Sequence, residues 1–325
     1  MKPLKIFLAD LTYDTITLST DVFPLNVGFI GSYTKAQFGS NVEIKLFKYI
    51  QKLEDELERS PPDILGLSNY AWCYRLSREM SKIFLKLNPN GIVVWGGPNF
   101  PLDLPSQERF FRDNTVIDIY VPVEGEIGFA NIVKKALEVK SKDEFRNKML
   151  GEPIDGCITR LKNGKLQYST APIRTKQLDE IPSPYTTGIL DEFFDGKLAP
   201  MIQTNRGCPF SCTFCVDGSD LVNKINSFSN ERVKEELHYI AKHVTPNMHS
   251  MHISDLNFGM YPQDLEVCES IKEIQEKYNF PKYVKVTSGK NKKEKIIATI
   301  KKLGKATYMA MSVQSMDPQV LSNVR

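Results

Sequence analysis

Histidine is missing from the first 237 residues; the four in the chain are His238, His243, His249 and His252. The amino-terminal part therefore has no imidazole to offer a metal ion. Cysteine is scarce too, six in 325 residues, too few for a disulfide framework and in keeping with a reducing cytoplasm as the expected compartment. Charge of one sign is lacking: 42 lysines and arginines against 39 acids leave a net charge of +3, which gives no reason to expect a polyanionic partner. No apolar stretch approaches the length of a membrane span. The amino terminus, Met1-Lys-Pro-Leu-Lys-Ile-Phe-Leu8, enters a strand directly, without the succession of segments that makes a signal peptide. What is present is a 41% apolar composition, enough for a sizeable core and about two domains.

Three of the six cysteines stand together in Thr204-Asn-Arg-Gly-Cys208-Pro-Phe-Ser-Cys212-Thr-Phe-Cys215. Spacings of three and two intervening residues suit a loop curled round a compact object. Gly207 and Pro209 allow that curl, because glycine accepts unusual backbone angles and proline fixes one. Thiolates are the ligands of iron–sulfur clusters, and four cysteines normally saturate a four-iron cluster. Three would leave one iron open. A structural zinc site is the plainer reading, but it usually closes with four ligands, and no fourth cysteine lies within fifty residues. Three ordinary thiols are the plainest. The apolar run Ala199–Gln203 reads as a short buried strand. The loop is thus expected at a strand's carboxyl end, where barrel enzymes place their chemistry.

Upstream, strand-like and helix-like patterns alternate, the signature of a parallel sheet covered by helices. Strands are expected over 4–11, 42–49, 63–68, 92–95 and 117–121, with helices over 27–38, 51–59, 75–87, 105–111 and 126–137. Right-handed crossovers would wind these into a doubly wound sheet with ligands at the strands' carboxyl ends. Ser68 closes one strand there. Gly96 and Gly97 follow another in Ile92-Val-Val-Trp-Gly-Gly-Pro-Asn99, and Gly125 opens a helix in Val121-Pro-Val-Glu-Gly-Glu126. These turns either admit a ligand close to the backbone or are simply tight turns.

Residues 146–190 read as a connector. Cys157–Tyr168 alternates around Asn163-Gly164, a hairpin signal, and Pro172, Pro182 and Pro184 keep the chain extended. Cys157 reads as a small buried residue. After the cysteines come a helix over 230–242, a strand over 249–257, a helix over 263–277, a strand over 283–288, a helix over 293–303, a strand over 306–314 and a last helix before Arg325. Lys290, Lys292, Lys293 and Lys295 form a charge run with no interleaved aromatics, so it reads as a solvated helix start and a nucleic-acid partner is not expected.

The Cys-x3-Cys-x2-Cys loop after a short strand, with Phe214 before its last cysteine, resembles the radical S-adenosylmethionine (SAM) superfamily. The order strand-Gly-Gly-Pro, Val-Glu-Gly-Glu, the phrase Leu178-Asp-Glu-Ile-Pro-Ser-Pro-Tyr185, then the cysteine loop is similar to the subgroup with an amino-terminal cobalamin-binding domain. This resemblance covers essentially the whole chain. It implies an α/β protein: a doubly wound, Rossmann-like cobalamin-binding domain over 1–145, the connector, and a partial (β/α)6 radical SAM barrel over 191–325, truncated after its fourth strand.

It implies a 4Fe-4S cluster on Cys208, Cys212 and Cys215 whose unique iron binds SAM, cleaved reductively to methionine and a 5'-deoxyadenosyl radical. Hydrogen abstraction or cobalamin-dependent methyl transfer would follow. Phe214, Asp255 and Gln314 are the expected SAM contacts, Gln314 replacing a glutamate common at that strand end, and Ser68, Gly96, Gly97 and Gly125 are the expected cobalamin contacts. An electron donor such as flavodoxin or ferredoxin and a small-molecule or peptide substrate are the implied partners. Without a histidine in the first domain, the Asp-x-His-x-x-Gly cobalt ligand is lacking, as in many members of the subgroup. Two other functions stay open: a methylthiotransferase, for which the further cluster cysteines and a basic carboxyl-terminal module are wanting, and a non-catalytic cobalamin- or metal-binding protein.

Overall fold

The first strand, β1 (Leu4–Thr12), is buried along nearly its whole length. Around it lie β2 (Val42–Tyr49), β3 (Ile64–Ser68), β4 (Ile92–Gly96) and β5 (Ile119–Val121), all parallel, in the order β2-β1-β3-β4-β5. This is one of the two common doubly wound orders. The computed structural model describes residues 2–169, 173–289, 291–304, 307–310 and 313–324. Pro172, Lys290, Ala306, Met311, Ser312 and Arg325, which figure in the sequence expectations, lie outside the described residues.

Burial on both sides explains why these strands are apolar runs rather than alternating ones. On one face Phe7, Ala9, Leu11, Leu65, Leu67 and Trp95 share a core with α2 (Ile50–Arg59), α3 (Tyr74–Leu87) and α4 (Leu104–Asp113). On the other, Phe129 of α5 (Gly125–Glu138) lies against Gly66 and Leu8, and Ile30 of α1 (Leu25–Phe38) lies against Gly125. Each buried leucine, isoleucine or phenylalanine contributes about 1.5–3 kcal/mol over its exposed state.

Two buried acids in this unit are countered by cations. Asp10 on β1 pairs with Lys48 on β2 at 2.8 Å, and the lysine side chain is only 1% exposed. Asp118 accepts from both terminal nitrogens of Arg146 on α6 (Phe145–Met149), and from the Val93 amide at 2.9 Å.

The expected hairpin forms, as β6 (Ile158–Arg160) and β7 (Leu166–Tyr168), but it is not part of a separate connector. It extends the first sheet antiparallel from β5, giving seven strands. The chain accordingly divides into a unit of residues 1–20 and 26–175 and a second of residues 21–25 and 176–325. The hairpin pairs its backbone groups with β5, and that ladder assigns the first half of the expected 146–190 connector to the sheet.

The second unit holds four parallel strands, β8 (Met201–Ile202), β11 (Ser250–Phe258), β12 (Tyr283–Ser288) and β13 (Thr307–Ala310), in the order β13-β12-β11-β8. Helices α7 (Asn230–His243), α8 (Gln263–Tyr278) and α9 (Lys293–Leu303) connect them, and α10 (Pro318–Val324) follows. Ser229 caps α7, its hydroxyl accepting from the Arg232 amide at 3.2 Å. Strand β13 ends at Ala310, so Gln314 is an exposed residue beyond it and not its last residue.

Candidate functional site

Strand β8 pairs over only two residues, so side chains from outside the sheet hold it. The Tyr185 hydroxyl, fully buried, donates to the Met201 carbonyl at 2.6 Å and accepts from the Met201 amide at 3.1 Å. Ser183 in the same Pro-Ser-Pro-Tyr phrase donates to Glu236 of α7 at 2.7 Å, and Arg232 donates to the same oxygen at 2.8 Å. The phrase thus fastens the strand that leads into the cysteine loop.

The loop itself is closed by a two-stranded antiparallel ribbon, β9 (Asn205–Arg206) with β10 (Asn226–Ser227). Above it the Cys208 amide donates to Val222 at 3.0 Å. Gly207 has φ +102°, and a Cβ there would stand 2.3 Å from the Lys224 carbonyl oxygen and 2.8 Å from that of Val222. Only glycine fits. A turn follows in which the Cys215 amide donates to the Cys212 carbonyl at 3.0 Å and Gly218 donates to Cys215 at 3.1 Å. A Cβ on Gly218 would meet the Cys212 carbonyl oxygen at 2.5 Å. The two glycines let the loop fold back upon its own cysteines.

Cys208, Cys212 and Cys215 are free and half-buried, whereas Cys73, Cys157 and Cys268 are free and fully buried. Burial pushes the Cys73 thiol up to about 11 and those of Cys157 and Cys268 up to about 12, which leaves these three protonated and inert. The accessible set is the loop set. No three His, Cys, Asp or Glu side chains among the described residues gather closely enough to hold a single metal ion. A cubane makes a different demand, since it takes one sulfur at each of three separate corners, and a curled loop of three half-buried thiols fits it.

Strand β11 grips the loop from beside it. The Asp255 carboxylate, 2% exposed, accepts from the Thr204 amide at 2.8 Å, from the Asn205 side chain at 3.0 Å and from the Thr204 hydroxyl. Burial, with a smaller contribution from Asp264, pushes its carboxyl up to about 7. Two residues along the same face, Asn257 places its side-chain nitrogen 3.3 Å from the Cys208 sulfur. Asp264 accepts from the Gly259 and Tyr261 amides at 2.7 and 2.9 Å, and burial pushes it up to about 6. The Tyr261 phenol is pushed up to about 12, first by burial and then by Cys208 and the two aspartates.

The sequence-derived candidates fall into different situations. Cys208, Cys212 and Cys215 share the loop, with Phe214 among them, 57% exposed. Asp255 reaches the loop, but the hydrogen bonds it accepts come from Thr204 and Asn205 inside the protein. Gln314 is exposed past β13. In the first unit Ser68, Gly96, Gly97 and Gly125 do lie at the carboxyl ends of β3, β4 and β5. The Ser68 hydroxyl accepts from Asn26 at 2.8 Å. At Gly97, with φ +131° and the Asn69 carbonyl oxygen 2.7 Å from where a Cβ would stand, chain packing itself requires glycine, whereas at Gly96 the nearest atom is 3.2 Å away and at Gly125 it is the movable end of the Ile30 side chain. Asn205 and Tyr185 take roles here that no local signal in the sequence marks.

Residues 202–325 match the family model described as the Radical SAM superfamily. The chain is 28% identical over 320 residues to a cobalamin-dependent radical SAM methyltransferase, TokK, of Streptomyces tokunonensis, covering 93% of this chain and 44% of that protein. It is 28% identical over 278 residues to the 2-(S-pantetheinyl)-carbapenam-3-carboxylate methyltransferase of Streptantibioticus cattleyicolor, covering 81% of this chain and 38% of the relative. In fold it is similar to the cobalamin-dependent SAM radical enzyme OxsB, solved with aqua-cobalamin and SAM bound. The TM-score is 0.69 at 20% identity, over 99% of this chain and 45% of that one. The chain spans less than half the length of these relatives. Residues 202–325, from the end of strand β8 onward, are thus similar to a radical SAM domain.

Proposed function

We propose that this chain is part of a cobalamin-dependent radical SAM methyltransferase, with the cluster on Cys208, Cys212 and Cys215. The observation that carries the reading is the glycine-closed loop at the end of β8, which presents three half-buried thiols while the other three cysteines are sealed in the core. A four-iron cluster in such a loop supplies the electron for reductive cleavage of SAM, and cobalamin supplies a carrier for the methyl group. Cys208, Cys212 and Cys215 would hold such a cluster, and with three sulfurs from the chain one iron would remain for SAM. Phe214, exposed between two of the cysteines, is suited to cover the ligand, and Gln314 offers an uncharged amide. Asp255 serves the site through the loop it holds.

On this reading residues 1–145, their sheet extended by the hairpin, form the cobalamin-binding domain, residues 191–325 the first four strands of a (β/α)6 barrel, and the Pro-Ser-Pro-Tyr phrase lies between them in sequence. The relatives' names support cobalamin and methyl transfer, as do Ser68, Gly96, Gly97 and Gly125 on one carboxyl-terminal sheet edge, where doubly wound folds bind ligands. With no imidazole in the domain, the lower cobalt face is left without a histidine ligand. The partners are a low-potential donor of the flavodoxin or ferredoxin kind and a small-molecule or peptide substrate. Among the described residues no helix is long and apolar enough to cross a membrane.

Anaerobic reconstitution with iron and sulfide, followed by assay of 5'-deoxyadenosine and of methyl transfer from SAM, tests the proposal. The expected result is about four irons per chain and SAM cleavage, both lost in Cys212→Ala, because a cluster of this type needs each thiolate. A Cys212→Ala protein that still cleaves SAM, or a wild type that binds a single zinc, refutes it.

A further inference from the structure

The geometry points to Asn257 as a positioning residue that sets how readily the site accepts an electron: its side-chain amide donates a hydrogen bond to the Cys208 sulfur and stabilises the reduced cluster. The inference rests on the proposed ligation by Cys208 and goes beyond it. Asn257 is 7% exposed, and its side-chain nitrogen lies 3.3 Å from the Cys208 sulfur. Of the two ends of an amide, only the nitrogen end can donate, and a ligating thiolate can only accept. The contact is held at both sides. The backbone carbonyl of Asn257 accepts from the Met260 amide at 3.3 Å, and Asp255, on the same strand face, fixes Thr204 and Asn205 just ahead of the cysteine.

One electron arrives from the external low-potential donor, no bond forms or breaks and no proton is taken up. The added negative charge spreads onto the ligand sulfurs, so a donor aimed at one of them favours the reduced state. Hydrogen bonding to the sulfurs is a recognised lever on cluster potential. Next to Cys215 the arrangement is opposite in character: a carboxylate oxygen of Asp217 stands 4.0 Å from its sulfur. Cys208 thus has an amide donor from the sheet where Cys215 has a carboxylate neighbour.

The test is a redox titration followed by electron paramagnetic resonance, on the anaerobically reconstituted chain as wild type, Asn257→Leu and Asn257→Asp, after iron and sulfide content have been measured. The leucine keeps roughly the size and removes the donor; the aspartate keeps the shape and replaces the donor with acceptors. At a fixed potential the ratio of reduced to oxidised cluster is expected to fall at least about threefold in Asn257→Leu and about tenfold in Asn257→Asp, the latter being ~59 mV for a one-electron couple. Full cluster content with an unchanged midpoint potential in both variants overturns the inference. So does failure of both to assemble a cluster that the wild type assembles, since a hydrogen bond outside the coordination sphere is not needed for ligation. A wild type without any cubane signal is the separate failure of the proposed function.

Discussion

Two regions of the molecule, the sheet of the first unit and the surroundings of the cysteine loop in the second, hold buried carboxylates in opposite ways. Asp10 and Asp118 in the first are met by the cations Lys48 and Arg146. Asp255 and Asp264, beside the cysteine loop of the second, are met by hydroxyl, amide and backbone N–H donors. Burial raises the carboxyl of Asp118 as well, but there Arg146 opposes it. The difference teaches what each carboxylate is for. A paired charge in a sheet locks two elements together. Neutral donors hold a loop just as firmly without setting a fixed positive charge among sulfurs, and they leave the acid able to take up a proton.

The strongest way to break the comparison is to remove a paired acid. Asp118→Ala strips the partner of Arg146 and an acceptor of the Val93 amide, and is expected to destabilise the first unit by about 3 kcal/mol or more. Urea unfolding followed by tryptophan fluorescence reads this unit alone, because Trp72 and Trp95 are the only tryptophans in the chain and both belong to it. A loss no greater than that of an exposed substitution would show that the pair is idle.

A smaller and more local effect is expected in the second unit from Gly207→Ala, whose Cβ would collide with two backbone carbonyls at a positive φ. The cost is about 1–3 kcal/mol of local strain, with reduced iron content after reconstitution, while the tryptophan-monitored transition stays where it was. Unchanged iron content would mean that the fold-back of the loop is not what prepares it.

The gentlest test is pH. Asp255, at about 7 in the folded chain against an ordinary 3.8, binds its proton more tightly folded than unfolded. Its stabilising contribution is complete below about pH 4 and is lost as the pH rises to about 7. Asp264, pushed up to about 6, acts with the same sign over a narrower range. The stability of the second unit, read by hydrogen exchange in α7 and α8, should therefore decline from pH 4 to 7, and Asp255→Asn should flatten most of that slope. A slope identical in the variant would locate the titration elsewhere.

Legibility followed range. The expected strand over 42–49 matches β2 residue for residue, because apolar runs bounded by turns are local signals. The helix over 126–137 was one or two residues short of α5 for the same reason: its ends depend on capping, not on the apolar stripe. Strand β8, expected over 199–203, pairs over two residues, and the Tyr185 side chain takes both backbone groups of Met201. Gly97 was legible as a special residue but not its reason, which is the Asn69 carbonyl 2.7 Å from where a Cβ would stand.

By itself the sequence determined the alternation of strands and helices, the absence of imidazole from the first unit, and a loop whose three thiols are spaced for a cluster. Those properties need only neighbours along the chain. Tertiary structure alone decided that the hairpin joins the first sheet, that Asp255 faces Thr204 and Asn205, and that Asn257 faces Cys208. Each of these joins residues some forty to fifty positions apart, and only the register of a folded strand can bring such distant groups to hydrogen-bonding range.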